Sequence, residues 1–139
     1  MFPWGNYYLR NKKGCLLANF KPGRGNYPED GAFYTARADA YWPNDFGLYC
    51  MAGNVSEWTS SLFYEGAYNF QHDMNPDIRF DANDDAPPRM KRKVIRGGSW
   101  KDVGYYLQTG TRTYEYQDST KSYIGFRCVI DLPAMQKKR

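Results

Sequence analysis

The sequence predicts a loop-rich domain built on short strands, without long helices. Its 139 residues are 42% hydrophobic and 24% charged, a composition that fits one globular domain with one core. The 13 glycines and 8 prolines fix turns and interrupt regular elements at short intervals. Aromatic residues make up 18% of the chain, and Tyr rings pack well while their hydroxyls reach loop carbonyls. These observations favour ordered loops over long regular elements.

The expected elements follow from hydrophobic periodicity and from turn-forming residues. Residues 5–46 show no sustained helical period, which predicts ordered loop. Residues 47–58 form either a short turn of helix or a strand that enters a bend, and residues 60–93 form a long polar loop. Segments rich in β-branched and aromatic residues predict three strands, at Lys93–Arg96, Leu107–Tyr114 and Gly125–Ile130.

The net charge of +4 is concentrated in two basic runs, at residues 89–93 and 137–139. Neither run contains interleaved aromatic residues, so a solvated loop and tail are favoured over a nucleic-acid-binding surface. An acidic stretch over residues 73–85 precedes the first run, which predicts local pairing between the two. Residues 133–139 are expected to form a disordered basic tail.

The cysteines and the apolar runs say little about the cellular compartment of the protein. Cys15, Cys50 and Cys128 lie far apart without a C-x-x-C motif, so they indicate neither a zinc site nor a disulfide framework. One disulfide with one free thiol is the alternative that the sequence leaves open. No apolar run approaches the roughly 20 residues of a membrane span, and the segment from Met1 to Trp4 lacks the regions of a signal peptide.

Three short motifs carry a family resemblance: G-N-V-S-E-W at residues 53–58, R-G-G-S-W at 96–100 and G-F-R at 125–127. Together they resemble the formylglycine-generating enzyme family, the sulfatase-modifying factors. The resemblance implies a duplicated, loop-rich α+β fold related to C-type lectins. It also implies that residues 1–132 are the C-terminal part of such a domain, whose first half would precede Phe2.

The same resemblance locates the family's catalytic positions. Catalytic members carry one cysteine three residues after the active-site Ser and another five residues further on. Ser99 matches that Ser, but the cysteine positions are Asp102 and Leu107. Thiolates stabilise Cu(I), whereas a carboxylate and an alkyl group do not replace them. We therefore expect no catalytic residues, no copper and a vestigial cleft at these three residues.

The alternative interpretation of the same segment is structural. Ser99 and Trp100 would then close the core after a turn at Arg96–Gly98, and four further residues would also serve the fold. A guanidinium has five donors and can hold loop carbonyls that no ladder satisfies. The residues assigned such structural roles are Trp58, Gly97, Gly98 and Arg127.

The resemblance implies two calcium sites. Calcium takes six to eight oxygen ligands, many of them from backbone, so an irregular loop can bind it. The first would use Asn19, Phe20, Asp30 and Ala32. The alternative is that Asp30 and Gly31 simply form a turn with an Asx hydrogen bond.

The second implied calcium site would use Gly53, Val55 and Glu57. Its usual fourth ligand is an Asn side chain, and the chain has Cys50 at that position. A thiol is a poor ligand for so hard an ion, which weakens this assignment.

Longer runs, A-N-F-K-P-G-R-G-N-Y, K-V-I-R-G-G-S-W-K-D-V and S-Y-I-G-F-R, resemble one branch, the GldK/PorK lipoproteins of gliding motility and type IX secretion. That branch implies a non-catalytic structural subunit at the periplasmic face of the outer membrane, with a lipid anchor outside this chain. The implied partners are a GldN/PorN-type ring protein and further copies of itself, without nucleic acid. The alternatives are a formylglycine-generating oxidase acting on sulfatase cysteine, and a C-type-lectin-like ligand-binding module that uses residues 60–93.

Overall fold

A computed structural model describes residues 1–5, 8–23, 26–70 and 77–130. In these ranges the regular structure is a small sheet surrounded by long ordered loops, as the Gly and Pro content predicts. The strands are β1 (Ser56–Leu62), β2 (Arg92–Arg96), β3 (Thr113–Tyr116) and β4 (Ile124–Gly125). The helices are α1 (Ala67–Phe70) and 3₁₀ turns at Tyr27–Asp30, Pro88–Lys91 and Gly104–Leu107.

The sheet has the strand order β3-β2-β1-β4. The strand β2 is antiparallel to both β1 and β3, whereas β4 pairs in parallel with β1. Trp58 lies opposite Ile95, and Ser56 lies opposite Ile124. The sheet therefore joins the G-N-V-S-E-W, R-G-G-S-W and G-F-R segments, which are far apart in the sequence.

The predicted strands agree with the structure to different degrees. The strand at Lys93–Arg96 is confirmed and begins one residue earlier, at Arg92. The strand predicted at Leu107–Tyr114 is wrong over most of its length, because Leu107 ends a 3₁₀ turn and the Thr111 N–H donates to the Gln108 carbonyl in a tight turn. At Gly125–Ile130 only Gly125 lies in a strand. The pairing with β1 covers two residues, and Phe126, Val129 and Ile130 are exposed.

The loops, not the sheet, supply the main hydrophobic cluster. Five buried residues, Phe2, Ala18, Phe20, Ala52 and Leu107, form it, and Trp4, Leu9 and Leu16 pack against it. The phenyl ring of Phe2 stacks on the indole of Trp4 with the ring centroids 5.3 Å apart. The core thus gathers segments on both sides of the Gly97–Gly98 turn.

The sequence predicted that the first basic run is a solvated loop. This prediction is wrong for Arg92 and Lys93, which are buried in β2. The Lys93 ammonium donates to the Phe80 carbonyl at 2.6 Å and to the Asp81 carboxylate at 2.8 Å. Local pairing with the acidic stretch is therefore confirmed at this pair. A buried ammonium needs such partners because desolvation of an unpaired charge is costly.

Arg92 is held in a comparable way by residues of the 60–93 segment. Its guanidinium donates to Glu65 at 3.0 Å and lies over the rings of Phe63 and Tyr114, 5.4 and 4.8 Å from their centroids. The side chain of Arg89, by contrast, is 64% exposed. Arg92 and Lys93 therefore stabilise the fold, whereas Arg89 is exposed to solvent.

The three cysteines are free thiols, and Cys15 and Cys128 are exposed. The open alternative of one disulfide is therefore not realised in the structure. None of the helices in the described part of the chain has the length and apolar character needed to cross a membrane. The predicted tail at residues 133–139 lies outside the described residues.

Candidate functional site

The Gly97–Gly98 turn places Ser99 in the interior. Both glycines adopt left-handed backbone conformations, with φ of 89° and 68°. A Cβ on Gly98 would lie 3.0 Å from the Tyr106 carbonyl oxygen, and one on Gly97 would lie 3.2 Å from the Met51 carbonyl oxygen. Glycine is thus required by conformation and by space, and the turn holds Ser99 in a fully buried position.

Asp102 closes this turn onto Ser99. The Ser99 N–H and its hydroxyl both donate to Oδ2 of Asp102, at 2.9 and 2.5 Å, and the Asp102 N–H donates to the Ser99 carbonyl at 3.0 Å. The Asp102 carbonyl accepts the Lys21 N–H at 2.8 Å, which ties the turn to the loop after Phe20. The Asp102 carboxylate therefore satisfies two donors of a buried residue.

Leu107 occupies the second implied cysteine position and is fully buried in the main hydrophobic cluster. Its Cδ1 lies directly beneath the Gly98 turn. This donor set does not fit copper, because the carboxylate of Asp102 already accepts hydrogen bonds from Ser99 and the Leu107 alkyl group has no lone pair. The structure brings Ser99, Asp102 and Leu107 together around one turn, where each has a packing or hydrogen-bonding partner.

A cleft of about 200 Å³ adjoins this turn on the side of β2 and β3. Charged groups of both signs and several Tyr rings line it: Arg96, Lys101, Asp102, Glu115, Tyr106 and Tyr123. The Lys101 ammonium lies 3.4 Å from the centroid of the Tyr123 ring. Of the three residues assigned to the vestigial cleft, only Asp102 lines this small polar depression.

Asn54 connects three loops by hydrogen bonds, a role that was not predicted from the sequence. It is buried with φ of 67°, and its Oδ1 accepts the Ala36 N–H at 2.8 Å while its Nδ2 donates to the Ala36 carbonyl at 3.1 Å. Its backbone carbonyl accepts the Trp100 N–H, and its N–H donates to the Asn19 carbonyl. Asn tolerates left-handed backbone and makes local backbone hydrogen bonds, so the G-N dipeptide was the available signal.

Two residues of the first implied calcium site, Phe20 and Ala32, donate their N–H groups to the carboxylate of a third, Asp30. Oδ2 of Asp30 accepts the Phe20 N–H at 3.0 Å, and Oδ1 accepts the Ala32 N–H at 3.1 Å. Asn19 is buried, and its Nδ2 donates to the Tyr34 carbonyl at 2.6 Å, so its other amide atom is the oxygen that a cation would use. The bond from Ala32 is the Asx contact that the alternative interpretation predicts.

The chemistry of this donor set fits calcium in kind. A carboxylate has about four lone-pair sites, so the two N–H bonds leave acceptor capacity on Asp30. The amide oxygen of Asn19 and backbone carbonyls are further hard ligands. Burial raises the pKa of Asp30, although the Ala32 and Phe20 N–H groups oppose that shift. Within the described ranges, no group of three or more His, Cys, Asp or Glu side chains is arranged to hold a metal ion.

At the second implied site, the Glu57 carboxylate is paired with a guanidinium. Arg127 donates to Oε1 of Glu57 at 2.7 Å through Nη2 and to both carboxylate oxygens through Nε. It also donates to the carbonyls of Tyr49 and Cys50. The hydrogen bond with Glu57 raises the pKa of Arg127. Charge neutralisation at Glu57 thus comes from within the chain, and Arg127 joins β1 to the loop before it.

Cys50 lies beside this pair with φ of 47°. Burial raises the pKa of its thiol, and its Sγ lies 4.0 Å from the Arg37 carbonyl oxygen. A raised pKa keeps the sulfur protonated, and the thiolate is the form that binds metals. Cys50 therefore contributes packing and a weak hydrogen bond at this position.

The fold and the turn define a class of protein: loop-rich α+β domains in which a Gly-Gly-Ser turn closes a cleft beside a small mixed sheet. The sequence pattern of the sulfatase-modifying factor enzyme 1-like domain, FGE-sulfatase, matches residues 1–132. The chain belongs to this family.

Both named enzymes and a named inactive relative are similar to the chain. It is 36% identical over 137 residues to the formylglycine-generating enzyme of Mus musculus, covering 94% of this chain and 34% of the relative. It is 31% identical over 134 residues to the inactive C-alpha-formylglycine-generating enzyme 2 of Bos taurus, covering 92% of this chain and 36% of the relative. The chain thus spans about a third of the length of these relatives.

A solved structure supports the same fold. PvdO from Pseudomonas aeruginosa superposes with a TM-score of 0.61 at 25% identity, covering 78% of this chain and 37% of that one. The predicted fold class, a loop-rich α+β domain of the formylglycine-generating enzyme type, is confirmed.

Proposed function

We propose that this chain is a non-catalytic member of the sulfatase-modifying factor family. One observation carries the proposal: the residues at the two cysteine positions are both engaged in the fold, and neither is a thiol. The Asp102 carboxylate holds the amide and hydroxyl of Ser99, and Leu107 lies in the hydrophobic core. A family member named as inactive is among the similar proteins, so loss of activity within this fold has a parallel.

The proposal predicts no conversion of a sulfatase-peptide cysteine to formylglycine, with or without added Cu(I). Mass spectrometry of the peptide would measure this, with an active formylglycine-generating enzyme run in parallel as a positive control. Product above the level without protein would contradict the proposal and support the oxidase alternative.

The double variant Asp102→Cys/Leu107→Cys is expected to remain inactive. Removing the Asp102 carboxylate leaves the buried N–H and hydroxyl of Ser99 without their acceptor, which costs roughly 1–3 kcal/mol. Replacing Leu107 also removes buried methyl groups beneath the turn. The matched control is Leu107→Cys alone, which keeps the Ser99–Asp102 hydrogen bonds. Full turnover by the double variant would refute the structural role of Asp102.

We further propose that the whole protein is a structural subunit of the type IX secretion and gliding-motility ring, at the periplasmic face of the outer membrane. Its support is the resemblance of the long runs around Asn19, Ser99 and Arg127 to the GldK/PorK lipoproteins. The expected partners are a GldN/PorN-type protein and further copies of the same chain. A tagged full-length protein, solubilised from membranes, should co-purify both.

The ring proposal also has a matched test. A variant with both Arg89→Ala and Arg79→Ala removes exposed positive charges of the 60–93 segment. Since Arg92 and Lys93 are buried, they are left unchanged. Normal co-purification by this variant would place the partner surface elsewhere. Failure of the parent protein to retain a GldN/PorN-type partner would refute the ring role while leaving the non-catalytic proposal intact.

We propose that calcium binds at Asn19, Phe20, Asp30 and Ala32, where its role is to stabilise the loop. Chelation with EGTA is then expected to lower the melting temperature, because an ion that binds only the folded state stabilises it by about 2.7 kcal/mol at 100 times its Kd. The chelator response should disappear in Asp30→Asn and persist in Asp39→Asn, whose carboxylate is exposed and paired with Arg37. An equal response in both variants would exclude this site.

A further inference from the structure

A second depression lies next to the vestigial cleft, and Lys101 lines both. Its volume is about 230 Å³, and the aromatic rings of Phe20, Tyr27, Phe33 and Trp100 form its walls. Lys21 and Lys101 stand at its edge. We refer to these six residues as the aromatic slot. Ligand pockets for drug-sized molecules occupy about 300–1,000 Å³, so the slot has room for a single small ring.

The rings of the slot belong to a longer aromatic array that the loop from Tyr27 to Tyr34 presents. Tyr27 and Phe33 meet edge to face with centroids 6.5 Å apart, and Tyr34 meets Trp100 at 5.1 Å. Tyr27 and Phe33 are exposed. Aromatic rings that are held by one another and still face solvent offer stacking surface without a large loss of side-chain freedom on binding.

The indole N–H of Trp100 is a polar group without use in the fold. Its Nε1 is buried and has no hydrogen-bond partner among the described residues. Buried donors are nearly always satisfied, and leaving one unpaired is unfavourable. Because Trp100 lines the slot, its indole N–H resonance is expected to respond to a ligand that enters there.

The two lysines of the slot determine which ligand charge it favours. Lys21 lies 5.6 Å from the Tyr27 ring centroid and Lys101 lies over Tyr123, and neither ammonium has a carboxylate within ion-pair distance in the described part of the chain. The two adjoining carboxylates, Asp30 and Asp102, already accept N–H groups of Phe20, Ala32 and Ser99. The slot is therefore apolar inside and positive at its edge.

We propose that the aromatic slot binds a small aryl carboxylate, with the ring against Phe33 and Trp100 and the carboxylate at Lys21 and Lys101. The proposal goes beyond the structural-subunit role and does not depend on it. Either a free aromatic acid or the C-terminal aromatic residue of a polypeptide offers this chemistry.

The test is a titration of the full-length ¹⁵N-labelled protein with benzoate, followed by the indole N–H resonances of its Trp residues. Trp100→Phe identifies the Trp100 signal by its loss. We expect benzoate to shift that signal and benzamide, which has the same ring without the charge, to shift it far less. A short peptide that ends in Phe with a free carboxylate, compared with its C-terminal amide, distinguishes the polypeptide source.

Three variants complete the experiment. Lys21→Met/Lys101→Met should weaken benzoate binding about tenfold and reduce its dependence on salt, since exposed charges are screened over about 10 Å at 0.1 M. Both lysines are exposed, so this variant keeps the fold. Lys12→Met, an exposed lysine outside the slot, is the control and should bind as the parent does. An unmoved Trp100 signal, equal shifts by benzamide, or unchanged affinity in the double variant would each overturn the proposal.

Discussion

Replacing Leu107 by alanine is expected to lower the free energy of unfolding by about 2–5 kcal/mol, the usual range for a buried Leu. Leu107 is fully buried, belongs to the main hydrophobic cluster and supports the Gly98 turn from below. Removing its methyl groups leaves a cavity between that turn and the loops, which relax only partly. Urea unfolding followed by far-UV circular dichroism would measure the change.

The matched control is Leu48→Ala, the same substitution at a residue that is 44% exposed. It should change the free energy of unfolding by about 1 kcal/mol or less, since substitutions at exposed sites have small effects. A similar loss for both variants would mean that Leu107 does not serve as the packing centre described above.

Gly53→Ala is expected to destabilise the protein by about 2–6 kcal/mol through two separate effects. Gly53 has φ of 78°, a conformation that costs a residue with a side chain roughly 1–3 kcal/mol. The new Cβ would also lie 2.5 Å from the Asn19 carbonyl oxygen, which overpacks the site for about another 1–3 kcal/mol. That carbonyl accepts the Asn54 N–H at 2.7 Å, so it cannot move away without loss of the bond.

Gly14→Ala separates the two effects. Gly14 has φ of 86°, but a Cβ there would have no atom within 4 Å. The control therefore carries only the conformational penalty, and Gly53→Ala should be less stable than Gly14→Ala by about 1–3 kcal/mol in thermal or urea unfolding. Equal stability of the two variants would show that the loop of Asn19 yields to the added methyl group.

Local features of the fold were predictable from the sequence, because they depend on neighbouring residues. The closely spaced Gly and Pro residues indicated ordered loops, and the β-branched run before Gly97 indicated β2. The S-x-x-D pattern at Ser99–Asp102 is also typical of a local turn, since Ser and Asp side chains often bond backbone groups within a few residues.

Features that depend on distant partners were not predictable in this way. Arg92 and Lys93 belong to a charged run in the sequence, yet both are buried. Glu65, Asp81 and the Phe80 carbonyl accept their hydrogen bonds, which offsets the loss of water. Leu107 looked like a strand residue because its neighbours alternate in size. Its position was decided by the close approach of the Gly98 turn, which only the three-dimensional packing reveals.

The parallel pairing of β4 with β1 has a consequence for the way the protein is made. Arg127 and its partner Glu57 are 70 residues apart, and the Tyr123 carbonyl accepts the Ser56 N–H. At about 5–20 residues per second, the ribosome adds those residues over several seconds. During that interval Ser56 and Glu57 lack their parallel partner strand, and an unpaired edge is a template for another chain. Nascent chains that stall before Gly125 are therefore expected to leave this end of β1 open to pairing with another chain.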